Sequence, residues 1–538
     1  MWLRWMSGLR INPISLTKNG AFVTEGAIFS LKAESLFLLT IIYLRNISTI
    51  TMKKIFLNLL LLVAFANLAT AQQFKVSYAD TVYNKPFTGR VLLYLSKDNR
   101  QPKSGAAGEE IFPCFSVSVK NVKPGESIVF DDKAVSYPTP ISDIERGEYY
   151  VQAVWDRNLG GRAIAESPGN LYSVSQKVNI TKDYNKIFKL TATKVVAEPT
   201  FIETQYAKEL KAPSVLLSNF LKKPMTVNAA IVLPKEYFTE PNRRFPVFYQ
   251  VSGYGGNYHR YSGWQKPSMP LDTTACITVY LDGNCSLGHD VYANSDNNGP
   301  WGDALTTEAI PLIEKTYRCN GARLLFGHSS GGWTVLWLQT HYPKVFSGCW
   351  SSSPDPVDFR SFQRVNLYKH ENMFYGKDSV LNLTGTVAGY FPWFDMKDCY
   401  RMEHVIYRGE QMHSFDAVFS PKGADGEPER ICDFETGAID TNVFEHWKKY
   451  DISLYLRTNW DQVKGDLDGK VRVTVGKQDN FLLNYAVVML EGEMKKLNST
   501  FVFQYYPGDH FTLATPEFMK DGYGFLEKKY NDWLAKNK

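Results

Sequence analysis

The chain has 538 residues, 44% hydrophobic and 21% charged, with 60 basic against 55 acidic side chains. That length predicts more than one domain, and that balance excludes a disordered, fibrous or low-complexity chain. Residues 1–71 hold seven basic and two acidic side chains, so without them 53 of each remain, and nothing in the charge calls for nucleic acid or an acidic membrane surface as partner.

Residues 52–71 read MKKIFLNLLLLVAFANLATA: a methionine, two lysines, an apolar run and a small-x-small end at Ala69-Thr70-Ala71. This is the pattern of a secretory signal peptide cleaved after Ala71, and no cysteine follows to take a lipid anchor. The run is too short for a stable membrane span, so the expectation is an exported chain without membrane insertion, secreted or periplasmic. Residues 1–51 fit neither a domain nor a leader, and the reading adopted is that translation starts at Met52; a short anchor built on Leu36–Leu44 is the alternative. Export permits disulfides. The seven cysteines show no CxxC pair and no metal spacing, and their pairing stays open.

Residues 72–195 alternate apolar and polar positions in short runs: FKVSYA, RVLLYLS, CFSVSVKNV, SIVFD, YYVQAVW, SVSQKVNI and IFKLTATKV. Turn-rich spacers such as KPGES and ERGEY separate them. About seven strands without a helical period predict an all-β, Ig-like sandwich.

From residue 199 the texture changes to α/β. Apolar strand runs appear at FPVFYQV, CITVYL, RLLFG, VFSGCWSSS and KVRVTVG, separated by helical stretches. That order predicts a mostly parallel sheet covered on both faces, spanning 199–538. Leu305, Ala309, Leu312, Ile313 and Thr316 are expected on one face of the helix before RLLFG.

At 323–342 the strand RLLF runs into Gly327-His328-Ser329-Ser330-Gly331, and SGGWTVLWLQTHY then reads as a helix ended by Pro343. A strand, a tight turn and a helix around GxSxG form a nucleophile elbow, which needs small residues two places either side of the attacker. Ser329 has glycine at both places, whereas Ser330 would put His328 in a crowded one. Ser329 is therefore the candidate nucleophile, and Ser330 contributes its backbone N–H.

A serine hydroxyl needs a base, and the base an orienting acid. His510 follows the strand FVFQYY and the turn Pro507-Gly508-Asp509, which suits the base. His446 lies within the helix NVFEHWKKY and reads as packed or solvated. Asp479, just past KVRVTVG, suits the acid. Asp509 is too close in sequence to orient the His510 ring and reads as a turn residue, as do Asp466 and Asp468 in GDLDG. An oxyanion needs two N–H donors; Ser330 supplies one, and the loop QVSGYGGNY after FPVFY offers Tyr254 N–H as the other.

These segments together resemble the esterase branch of the α/β-hydrolases that includes esterase D, enterochelin-esterase-like proteins and feruloyl or acetyl-xylan esterases. FPVFYQVSGYGGN, NNGPWGDALTTEAIPLIEKTYR, FGHSSGGWTVLWLQTHYPKVFSGCWSSSPDPVDF and YYPGDHF carry the resemblance, which spans nearly all of 230–512. It implies an α/β-hydrolase fold with Ser329 as nucleophile, Asp479 as acid and His510 as base. It also accommodates an N-terminal sandwich.

Two positions depart from the family. Ser252-Gly253 stands where His-Gly is common, which leaves the support of that loop open, and Ser330 often gives way to methionine. The expected activity is serine-dependent hydrolysis of a small-molecule or oligosaccharide ester through an acyl-enzyme, with no cofactor and no metal. Acetyl or feruloyl carbohydrate esters come first and siderophore esters second. A serine peptidase, and a binding protein on an inactive hydrolase scaffold, are the other readings. Residues 360–460 exceed what a minimal esterase needs and are expected to form a lid or substrate wall.

Overall fold

The structure is a computed structural model that describes residues 22–24, 27–29, 73–181, 186–369 and 371–537. The expected leader 52–71 and the alternative anchor at 36–44 lie outside the described residues. Met1–Thr70 and Ala71–Lys538 are separate compact units. In the first, β1 (Phe22–Thr24) pairs antiparallel with β2 (Ala27–Phe29). The second holds all the other described residues.

Nine strands occupy its N-terminal third: β3 (Gln73–Tyr78), β4 (Phe87–Ser96), β5 (Cys114–Val122), β6 (Ile128–Phe130), β7 (Val135–Tyr137), β8 (Gly147–Asp156), β9 (Leu171–Ser173), β10 (Gln176–Ile180) and β11 (Ile187–Val195). β6-β3-β11 and β10-β8-β4-β5-β7 are joined through β9, which pairs with both β11 and β8. Phe74, Val91, Trp155 and Leu190 meet in one core between them, consistent with the expected sandwich.

β4 is apolar from Val91 to Leu95 rather than alternating, because both of its faces are covered. Val91, Leu93 and Leu95 face the sandwich core. Leu92 and Tyr94 pack instead with Met402, Val405 and Ile406 of the helix Met396–Ile406.

The C-terminal two thirds hold an eight-stranded sheet. Its strands are β12 (Ala207–Ser214), β13 (Met225–Val232), β14 (Phe245–Val251), β15 (Ile277–Leu281), β16 (Cys319–His328), β17 (Gly348–Ser352), β20 (Val471–Gly476) and β21 (Val502–Tyr506), with β18 (Leu383–Val387) and β19 (Phe391–Asp395) forming a separate hairpin. The order is β12-β13-β15-β14-β16-β17-β20-β21. The pairs β12–β13 and β13–β15 are antiparallel and the rest parallel. This is the expected α/β-hydrolase fold.

The helices are α1 (Ile310–Thr316), α2 (Ser330–His341), α3 (Met396–Ile406), α4 (Gln411–Phe419), α5 (Ile452–Leu467), α6 (Asn484–Lys496) and α7 (Pro516–Lys536); α1, α2, α6 and α7 pack on the sheet, and α5 packs on α2 and α6. The expected apolar face before β16 is corrected in one respect. Leu305–Ala309 forms a wide π-type turn that shifts the phase, so Leu305, Ala309, Ile310 and Ile313 are buried while Leu312 is only partly covered and Thr316 is exposed.

Residues 360–460 are a packed body rather than a loose cover. Phe362, Met373, Phe415 and Phe419 share one core with Val471, Val473 and Val475 of β20. All seven cysteines are buried free thiols. Among the described residues no helix is long and apolar enough to cross a membrane.

Candidate active site

β16 ends at His328, and the chain turns sharply into α2. Ser329 takes φ 60° and ψ −129°, a conformation that costs an L residue about 1–3 kcal/mol and persists only where its surroundings impose it. They do so by contact. A Cβ on Gly327 would lie 2.0 Å from the Gly331 carbonyl oxygen, and one on Gly331 would lie 2.2 Å from that of Val251. Neither position admits a side chain. The Ser329 N–H donates to Ser352 O at 3.0 Å, tying the elbow to the neighbouring strand.

His510 and Asp479 come together from the loops after β21 and β20. His510 Nδ1–H donates to Asp479 Oδ2 at 2.8 Å, with the residues 3% and 1% exposed. Asp479 Oδ1 accepts from Phe481 N–H at 3.0 Å, so both carboxylate oxygens are occupied. The expected turn role of Asp509 is observed, its Oδ1 accepting from Phe511 N–H, Thr512 N–H and the Thr512 hydroxyl. His446 is satisfied elsewhere, with Nδ1 on Phe419 O at 2.6 Å and Nε2 on Asp296 at 2.9 Å.

The His328 ring lies 4.4 Å from the His510 ring, centroid to centroid, and its Nδ1 meets the Ser352 hydroxyl at 3.0 Å. Burial and the neighbouring imidazole push its pKa down to about 3, so it stays neutral beside His510.

The loop after β14 passes beside the elbow. A Cβ on Gly253 would sit 3.2 Å from Ser329 Cβ and 3.9 Å from Ser329 Oγ. Tyr254 is the next residue. Ser330 opens the first turn of α2, where backbone N–H groups point outward and the helix dipole favours negative charge. The elbow, the loop and the His–Asp pair thus converge at the same end of the sheet.

The question raised by Ser252 has a structural answer. His289 is buried, its Nδ1 accepts from Val291 N–H at 3.0 Å, and its Nε2–H therefore donates to Ser252 O at 3.0 Å. Burial lowers its pKa to about 4, keeping the tautomer neutral and the donor in place. The sequence reading missed His289, because a lone histidine in GHD carries no spacing signal.

It also missed Asn480 and Asp355. Asn480 Oδ1 accepts the His510 N–H at 3.0 Å, its Nδ2 donates to Thr386 O at 2.9 Å, and its carbonyl accepts Thr386 N–H at 2.7 Å. This residue therefore ties the β18–β19 hairpin to the His–Asp pair. The Asp355 N–H donates to Ser329 O at 3.4 Å, and burial pushes its carboxyl up to about 6.

An aromatic row leads away from His510. Phe481 lies edge-on to the His510 ring at 4.8 Å, Phe511 is 5.8 Å from Phe481, and Trp393 of β19 is 6.4 Å from Phe481. Tyr390 and Phe391 at the hairpin tip are 71% and 69% exposed, and Phe511 is 63% exposed. Large aromatic faces left in water are a feature of surfaces that meet a ligand or partner.

Residues 218–483 match the family profile described as "Putative esterase". The match takes in Ser329 and Asp479 and stops short of His510. No curated protein matches the chain. Among solved structures, a ferulic acid esterase aligns at 13% identity over 61% of this chain and 100% of its own, with a TM-score of 0.33. An S-formylglutathione hydrolase from Agrobacterium tumefaciens aligns at 14% identity, 61% and 97% coverage and a TM-score of 0.35. The fluorophosphonate-binding serine hydrolase F of Staphylococcus aureus gives 13% identity, 60% and 97% coverage and 0.33. Likenesses at these scores carry no argument. The family match does, and by it the chain carries the esterase-family segment of a carboxylic ester hydrolase acting on small-molecule esters.

Proposed function

We propose that the protein is an exported serine esterase that cleaves carbohydrate esters, acetyl or feruloyl, through an acyl-enzyme. The observation that carries the reading is the buried 2.8 Å contact between His510 Nδ1 and Asp479 beside a serine held at φ 60°.

In this mechanism Asp479 fixes the His510 tautomer with its proton on Nδ1, leaving Nε2 to take the proton from Ser329 Oγ as that oxygen attacks the ester carbonyl. Tyr254 N–H and Ser330 N–H receive the oxyanion. His510 then gives its proton to the departing alkoxide, and the alcohol leaves with the acyl group on Ser329. A water molecule, deprotonated by His510, attacks that acyl group, and the carboxylate departs as Ser329 recovers its proton.

The aromatic row supports the carbohydrate reading. An acyl chain is best received by an enclosed apolar slot, whereas Tyr390, Phe391 and Phe511 present open faces. A pyranose can lay its C–H face on such a surface while its hydroxyls stay in water. Export rests on the pattern of 52–71, and N-terminal sequencing of protein recovered outside the cytoplasm is expected to start at Gln72.

Hydrolysis of p-nitrophenyl acetate by the mature chain, lost in Ser329→Ala, tests the reaction. A panel of acetylated and feruloylated oligosaccharides beside siderophore esters tests the substrate. Turnover of the small ester with none of the carbohydrate esters would remove the carbohydrate reading and leave the esterase standing.

A further inference from the structure

The sandwich does more than sit beside the α/β part. Arg162 belongs to the loop between β8 and β9, and its Nη1 donates to the Tyr254 hydroxyl at 2.6 Å and to Gly409 O at 3.0 Å. The guanidinium also lies over the Tyr254 ring, 4.4 Å from its centroid. The Tyr254 hydroxyl shares its own proton between Gly409 O at 2.8 Å and Glu410 Oε2 at 2.9 Å. A side chain whose ring and hydroxyl are both held leaves its own backbone little freedom.

Arg162 is itself held in place. Arg408 Nη1 donates to Gly161 O at 2.8 Å and to Arg162 O at 3.2 Å. Gly409 has φ +81°, and a Cβ there would stand 2.1 Å from Arg162 O, so only glycine admits the loop at this distance. The chain of contacts runs from the sandwich loop through Arg162 to Tyr254, one residue from Gly253 and the candidate nucleophile.

We propose that Arg162 is a positioning residue for the oxyanion site: it fixes the Tyr254 backbone N–H, so the sandwich supplies part of the reaction centre. This rests on the serine-esterase reading above, in which that N–H receives the oxyanion. A planar cation suits the task, because it stacks on the ring and donates to two oxygens at once.

The test compares kcat and KM for p-nitrophenyl acetate in the full chain with Arg162→Ala, Arg162→Lys, Tyr254→Phe and the Arg162→Ala/Tyr254→Phe double variant. Tyr254→Phe removes only the anchored hydroxyl and keeps the N–H and the ring, so it remains informative where Arg162→Ala folds poorly. Misplacing an oxyanion donor is expected to lower kcat about 10- to 100-fold with KM within about twofold of wild type. Arg162→Lys should recover part of the loss, and the double variant should be no slower than the worse single one.

Unchanged kcat in folded Arg162→Ala and Tyr254→Phe would overturn the proposal while wild-type turnover leaves the esterase reading intact. A loss confined to KM, or additive losses in the double variant, would overturn it as well. A wild-type chain without turnover would overturn both.

Discussion

Asp156 at the end of β8 and Arg408 after α3 meet as a bidentate ion pair, Nε to Oδ2 at 2.7 Å and Nη2 to Oδ1 at 2.6 Å, with neither side chain more than 1% exposed. Tyr407 adds its hydroxyl to the same carboxylate. Charge buried to this degree is tolerable only when its hydrogen-bonding capacity is filled, and Arg408 fills its own with Gly161 O and Ser286 O. The pair fastens the sandwich to the 360–460 body, and its two members lie 252 residues apart.

Removing one partner strands the other. Arg408→Ala is expected to cost about 3–5 kcal/mol of stability, read as a large drop in the denaturation midpoint. Exposed pairs such as Lys97–Glu145, whose charges stay in water, should contribute far less. A small effect for Arg408→Ala would mean that the apolar contacts of α3 hold the two parts together without it.

Glu403 predicts a pH dependence of stability. Its carboxyl is buried in α3 and accepts the N–H groups of Met412 and His413 at 3.0 and 2.8 Å. Burial, reinforced by Glu410, pushes it up to about 8 from an ordinary value of 4.5. The folded chain therefore holds this proton more tightly than the unfolded one. Its contribution is complete below about pH 4.5 and is lost as pH rises towards 8, by at most ~1.4 kcal/mol per pH unit. Between pH 5 and pH 8.5 the wild-type melting temperature should fall more steeply than that of Glu403→Gln. Parallel curves would contradict the assignment.

Asn480 predicts a coupling between the hairpin and the His–Asp pair. Asn480→Ala removes the acceptor of the His510 N–H and the donor to Thr386 O. Each such bond is worth about 0.5–1.5 kcal/mol, so kcat is expected to fall about tenfold or more, measured with p-nitrophenyl acetate. Full activity would show that His510 is held by Asp479 alone.

Gly253 tests the approach of the oxyanion loop. Its Cβ position lies 3.1 Å from His328 O and 3.2 Å from Ser329 Cβ, tight but not prohibitive. Gly253→Ala should fold yet lose activity, because the loop must retreat by a few tenths of an ångström from the nucleophile. Gly331→Ala, at 2.2 Å from a fixed carbonyl, should not give a folded elbow at all. Circular dichroism beside turnover separates the two outcomes.

The parts that were legible beforehand are those whose signal is local. CFSVSVKNV and IFKLTATKV coincide with β5 and β11, and FPVFYQV with β14. The elbow could be placed because glycine at 327 and 331 is a steric demand that the residues themselves display. The unread parts are tertiary. β12 is an edge strand that carries Lys208, Glu209 and Lys211 at positions that are not buried, and it shows no apolar run. His289 and Arg162 act on Ser252 and Tyr254 across 37 and 92 residues of chain, and neither belongs to a spaced motif. Residues 360–460 are legible only as a surplus expected to form a lid or substrate wall; their packing against β4 through Met402 and Ile406 is invisible, since a strand covered on both faces looks the same whatever covers it.

The central claim is that Ser329 is an activated nucleophile served by His510. Treating the folded chain with a fluorophosphonate and mapping the adduct by peptide mass spectrometry tests it most directly. The expected result is one adduct on Ser329, none on Ser330, and labelling slowed by orders of magnitude in His510→Ala. Folded protein that takes up no probe, or an adduct on another residue, would contradict it.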